Sequence, residues 1–140
     1  MIQNLFLLAG AAIGLSACVS AQAGDREMSE AAALELAKYE ATGETRTCLS
    51  TTQIRSIDPI DDYTFLVRGT GRDVYLNKVS GKCSGASRSG NRLQYRISSN
   101  QLCRNEIITV VDNMLNTTVG SCGLGSFEEL QEIPEDDAAE

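Results

Sequence analysis

The most regular feature of the chain is a two-residue alternation in its middle. Tyr63, Phe65 and Val67 alternate with Thr64, Leu66 and Arg68, and after Gly69-Thr70-Gly71, Val74 and Leu76 alternate with Asp73, Tyr75 and Asn77. Successive side chains of an extended chain point to opposite faces, so this period marks half-buried strands. Two such runs around a loop whose glycines tolerate positive φ predict a β-hairpin. Leu93, Tyr95 and Ile97 alternate with Arg92, Gln94, Arg96 and Ser98, which predicts a strand with one wet, basic face. Residues 106–112 (EIITVVD) read as the most buried strand, the Thr-, Ser- and Ile-rich residues 47–57 as the first, and residues 121–130 as one that closes the sheet. Asp58-Pro59-Ile60-Asp61-Asp62, SGKCSGASRSGN at 80–91 and residues 113–120 lie between them as turns and loops. Five or six short strands with Gly-rich turns predict a mainly β domain, a small antiparallel barrel or sandwich. A single open sheet with a helix on one face is the alternative.

The period changes upstream. Ser29 to Glu40 (SEAAALELAKYE) is rich in helix formers, with Ser29 placed to cap the N-terminus, Glu30 in the first turn and Gly43 placed to stop the helix. Met28, Ala32, Leu36 and Tyr39 fall on one face, a thin stripe that suits packing on the domain better than binding a partner.

The run from Leu5 to Val19 (LFLLAGAAIGLSACV) is too short to span a bilayer, which takes about 20 apolar residues, and has the length of a signal-peptide core. Leu15-Ser16-Ala17-Cys18 looks like the lipobox of bacterial lipoproteins, in which the thiol is alkylated with diacylglycerol and the chain is cut before the cysteine. Several acyl chains then give stable anchoring where one would be marginal. Ala21-Gln22-Ala23 offers a second cut site, which would release a soluble protein, and the stretch before Leu5 has no basic side chain. The expected organisation is a signal peptide at 1–17, an anchor, spacer and short helix at 18–44, a β domain at 45–130 and an acidic, disordered tail at 131–140. The expected location is the periplasmic side of an outer membrane, or the periplasm or medium if the later cut is used.

Composition narrows the chemistry. The chain has no His. Ser–His and Cys–His nucleophile pairs and His-containing zinc sites are therefore excluded. A net charge of −7 hides an uneven spread: residues 45–127 carry more cations than acids, while residues 128–140 carry only acids. A mildly basic body thus lies between acidic ends.

Of the five cysteines, Cys18 is taken up by acylation or lost with the later cut, leaving Cys48, Cys83, Cys103 and Cys122. None has C-x-x-C spacing, so a thioredoxin-like or zinc-ribbon site is not indicated. In an exported chain they predict two disulfides. Of three possible pairings, Cys83–Cys103 (tying the Gly/Ser loop to the loop before the fifth strand) and Cys48–Cys122 (tying first strand to last) are favoured.

Together, Cys48-Leu49, Asp61-Asp62-Tyr63-Thr64-Phe65, Val74-Tyr75-Leu76-Asn77, Lys82-Cys83-Ser84-Gly85, Leu102-Cys103-Arg104-Asn105-Glu106-Ile107-Ile108 and Cys122-Gly123-Leu124-Gly125-Ser126-Phe127 resemble a family of small exported bacterial proteins classified only as a domain of unknown function. The likeness covers about residues 45–127. Where that family suggests Pro-Gly-Leu after the second cysteine, this chain has Ser84-Gly85-Ala86. The resemblance implies an exported, disulfide-bonded domain and supplies no active site.

Eight of the ten cations of residues 45–127 are Arg. Arg88, Arg92, Arg96 and Arg104 are candidates for a patch around the fourth strand, whose guanidinium forks would suit a phosphate or carboxylate, such as an anionic envelope glycan or a lipid head group. A solvated sheet face is the plainer reading. Asp61-Asp62 fits a turn better than an acid pair. No nucleic-acid signature is present. Asn116-Thr117-Thr118 matches an N-glycosylation acceptor, which a bacterial lipobox makes irrelevant. The expected function is a non-enzymatic envelope binding module without cofactor or metal, held to the membrane by acyl chains and meeting an unknown envelope protein or anionic glycan. The alternatives are an inhibitor of a lysozyme-like hydrolase and a carboxylate hydrolase using Asp62 with Asp73 or Asp112.

Overall fold

The computed structural model describes residues 28–134. The signal segment with both cut sites, the lipidation site Cys18 and residues 135–140 of the acidic tail lie outside the described residues. The fold is mainly β, in antiparallel sheets arranged like a sandwich and not closed into a barrel. A helix α1 (Glu30–Leu36) precedes β1 (Tyr39–Arg46), β2 (Cys48–Ser50), β3 (Ile54–Pro59), β4 (Thr64–Gly69), β5 (Val74–Lys78), β6 (Asn91–Tyr95), β7 (Gln101–Cys103), β8 (Ile107–Asp112), β9 (Thr118–Gly123) and β10 (Phe127–Glu132). The large sheet has the order β1-β10-β5-β4-β3, and two smaller sheets are β6-β8-β9 and β2-β7.

Among the described residues ten strands replace the five or six expected, for local reasons. A 3-10 turn at Thr51–Gln53 splits the first expected strand into β2 and β3. Leu124, Gly125 and Ser126 split the last into β9 and β10, where the chain crosses from a small sheet to the large one. The fully buried Asn77 holds this crossing: its Nδ2 donates to the Gly125 carbonyl and its Oδ1 accepts from the Gly125 N–H, both at 2.9 Å. Gly125 passes so close to the Lys78 carbonyl that a Cβ would collide with it. The hairpin expected from the central alternation is present as β4–β5, with Phe65 opposite Asn77 and Val67 opposite Tyr75.

The helix is shorter than its sequence suggests. Ser29 caps it as expected, its Oγ accepting from the Ala32 N–H at 3.1 Å. It nevertheless ends at Leu36, because Tyr39 and Ala41 pair with Glu132 and Leu130 of β10. Ladder hydrogen bonds outweigh the helix propensity of residues 37–40. The β domain thus begins at 39 rather than 45. Its far end reaches past 130, where the Ile133 N–H donates to the Lys38 carbonyl.

The large sheet is apolar on both faces. Phe65, Val67, Tyr75 and Phe127 face inward and pack on Leu49, Leu102, Ile108, Val110 and Leu124 from the small sheets and their connections. Leu66, Val74, Leu76 and Leu130 face the other way, with Leu36 and Tyr39 packed against them.

Both disulfides exist, but in neither favoured pairing. Cys48 bonds Cys103, and Cys83 bonds Cys122. Cys48 stands directly opposite Cys103 in the β2–β7 ladder, with Cα atoms 4.0 Å apart. The expected Cys48–Cys122 bond assumed that the first strand lies beside the last. It does, but that first strand is β1, which has no cysteine. The expected Cys83–Cys103 bond fails because the loop after β5 runs along β9. Ser80 N–H donates to the Gly123 carbonyl, and Ser84 lies so near Gly120 that a Cβ there would clash. Cys83 is thereby laid on Cys122. Two disulfides in so small a domain indicate an oxidising, extracytoplasmic compartment.

Candidate functional site

The four candidate arginines occupy exposed positions on β6, just before and after it, and in the β7–β8 turn. Arg92 stands on the outer face of β6, where its Nη1 donates to Asn113 Oδ1 at 2.9 Å and its Nη2 to Asn116 Oδ1 at 2.7 Å. Arg96 follows at the end of the same exposed face and lines a recess with Asn105, Glu106, Ile107 and Thr118. Arg88 is exposed in the turn before β6, and Arg104 in the turn between β7 and β8. Arg92, Gln94 and Arg96 thus keep the wet, basic face expected of β6.

Of the three candidate carboxylates, Asp62 and Asp112 are engaged by loop groups and Asp73 stands apart from Asp62. Asp62 Oδ2 accepts from the Gly85 N–H at 3.3 Å, and its Oδ1 from the Ser87 hydroxyl at 3.3 Å. Asp112 Oδ1 accepts from the amides of Met114 and Leu115 at 2.8 and 2.9 Å. Asp73 lies in the β4–β5 loop, at the far end of that hairpin from Asp62. Asp62 and Asp112 thus hold loops in shape, the ordinary work of Asp in turns. Asp61 does the same, with its Oδ1 on the Tyr63 N–H at 2.8 Å.

A different set of arginines meets at the edge strand β3. Arg55, Arg68 and Arg72 line a recess of about 320 Å³ with Tyr39, Ser56, Asp73 and Glu132. On the other side of β3, Arg55 and Ser56 also line a cleft of about 400 Å³ that runs to β6, where it takes in Asn91, Arg92, Leu93 and Tyr95. Both flanking strands are sheet edges, so the cleft is the open seam of the sandwich. Its floor is apolar (Ile54, Ile57, Leu93), and no carboxylate lines it.

The arginines differ in how far they are occupied. Arg68 is fully engaged: Nε donates to Asp58 Oδ2 at 3.0 Å, Nη1 to the Tyr39 hydroxyl at 2.9 Å and Nη2 to Glu35 Oε1 at 3.3 Å. The Tyr39 hydroxyl first, and Asp58 after it, raise its pKa further despite some loss of hydration. The Lys38 ammonium, hydrogen-bonded at 2.6 Å, lowers the Glu35 pKa despite some loss of hydration. Arg46 is placed over the Tyr75 ring at 5.7 Å and 3.5 Å from Glu129 Oε2, an ion pair too poorly aligned to be a hydrogen bond. Burial, more than any neighbour, raises the Tyr75 pKa. Among the described residues, Arg55 and Arg72 are exposed and have no ion pair. They can meet an anion without giving up an internal partner. Nothing in the sequence marks this cluster, because its members come from β3, β4 and the β4–β5 loop.

No group of three or more His, Cys, Asp or Glu among the described residues is arranged to hold a metal. No helix among them is long and apolar enough to cross a membrane. No family model, no curated protein and no solved structure matches the chain.

Proposed function

We propose that the chain is an exported envelope protein, tethered through acyl chains on Cys18, whose β domain binds an anionic ligand without catalysing a reaction. The observation that supports binding is the pair of unpaired guanidinium groups, Arg55 and Arg72, on a concave surface that Arg55 shares with the open seam. Arg forks match carboxylate and phosphate oxygens, and a recess of this size suits a sugar acid or a phosphorylated sugar unit of an envelope glycan. The engagement of Asp62 and Asp112 in loop amides supports a binder over a carboxylate hydrolase. The tether reading rests on Leu15-Ser16-Ala17-Cys18 and on the oxidising compartment that the disulfides indicate.

Two measurements test this. Intact mass of the mature protein should show a start at Cys18, the added acyl chains and two disulfides; an unmodified start after Ala23 would replace the tether with simple secretion. Titration with isolated anionic envelope glycan should show saturable binding that falls about tenfold or more in Arg55→Ala/Arg72→Ala, as expected for losing two charge-assisted contacts. Arg88→Ala should bind as the parent does. Equal binding by all three proteins would remove the recess from consideration.

A further inference from the structure

The hairpin that joins β8 to β9 presents two large apolar side chains to water. Met114 is 93% exposed and Leu115 73%, more than any other large hydrophobic residue among those described. Nor is the tip loose. The Asp112 N–H donates to the Thr117 carbonyl at 2.9 Å, and the Asp112 carboxylate caps the amides of both Met114 and Leu115. The Arg92 fork grips Asn113 and Asn116 on either side of the apolar pair. The Asn113 N–H donates to the Gly90 carbonyl at 3.0 Å. Asn116 takes a left-handed φ of 52°, which Asn tolerates better than most residues. Local hydrogen bonds therefore hold two apolar side chains outward. Displayed apolar surface of this kind marks contact with a partner or a membrane.

We infer that this tip is a wedge for an anionic bilayer: Met114 and Leu115 enter the apolar edge, while Arg92 and Arg88 stand at the level of the phosphates. Shape and charge favour a bilayer over a protein. A convex tip needs a matching pocket in a protein partner but none in a lipid surface. The one carboxylate in the hairpin, Asp112, is occupied by backbone amides, and the cations behind the tip suit anionic headgroups.

The chain has no Trp, so Met114→Trp and Leu34→Trp each provide a single reporter. Leu34 is 66% exposed on α1 and serves as the reference for any exposed indole. The mature full-length proteins are mixed with phosphatidylethanolamine–phosphatidylglycerol vesicles containing brominated lipid. Indole fluorescence of the Met114→Trp protein should be strongly quenched, and that of the Leu34→Trp protein should not. In the unaltered chain, peroxide oxidation of Met114 should slow severalfold on the same vesicles, which excludes an effect created by the substitution. A chain that floats with vesicles while residue 114 stays in water would overturn the wedge and leave the tether standing. Protection of residue 114 in a chain whose mass shows no acyl group would uphold the wedge and overturn the tether.

Discussion

On its inner face the large sheet presses Phe65, Val67, Tyr75 and Phe127 against side chains from four other strands and connections, with two disulfides beside them. On its outer face it presses Leu66, Val74, Leu76 and Leu130 against little more than a helix of seven residues. A helix that short does not persist alone in water. It is held by a few apolar contacts and by Arg68, which bonds the helix at Glu35, β1 at Tyr39 and β3 at Asp58. The inner face depends on apolar burial and covalent crosslinks, which salt and pH scarcely touch. The outer face depends partly on ion pairs open to solvent, which both can weaken.

The sharpest way to break this contrast is to cut the sulfur. The bonds span 55 and 39 residues, and each restricts the unfolded chain by about 4 kcal/mol on loop-closure grounds. Urea unfolding with and without a thiol reductant should show loss of most of the stability; an unchanged midpoint would mean that the apolar core suffices. Next in size, Phe127→Ala, at a fully buried position, should cost about 3–5 kcal/mol. Leu130→Ala on the outer face should fall near the low end of about 2–5 kcal/mol, because Leu130 belongs to a smaller cluster. Equal losses in chemical denaturation would deny that the faces differ.

Arg68→Met should cost about 1 kcal/mol or less overall, since the guanidinium is partly exposed. Its clearer mark should be faster hydrogen exchange at the Ala33 and Ala37 amides, with the β4–β5 ladder unchanged. The smallest effect is that of pH. Glu35 titrates below its usual 4.5, chiefly because it bonds Lys38. Its contribution is therefore complete above that value and is lost as pH falls through the lowered one. Helix amides should exchange faster than the core in acid, and Glu35→Gln should remove this pH dependence.

Some of this architecture is legible in the residues one at a time. The β4–β5 hairpin follows from strict alternation around Gly69-Thr70-Gly71, and the N-cap follows from Ser29. The basic outer face of β6 follows from Arg92, Gln94 and Arg96. These features are local, set by period and turn chemistry within a dozen residues. Residues 37–40 read as helix because Ala, Lys and Glu favour it, and nothing nearby announces β10. Likewise, Gln101–Cys103 is too short to show a period. The arginine recess was invisible for the same reason: Arg55, Arg68 and Arg72 carry no mutual spacing rule. The Met114–Leu115 tip lay in a segment that composition marked only as a loop.

By itself the sequence determined the β class, the absence of His chemistry, a leader-like apolar start, and the readiness of four cysteines to crosslink. Each of these is a property of residue types or of short-range order. Only the tertiary structure decided which cysteines meet, which face of the sheet receives the helix, and which arginines share a surface. Strands far apart in the chain choose their neighbours by the ladders and apolar faces they complete together, and no single segment carries that choice.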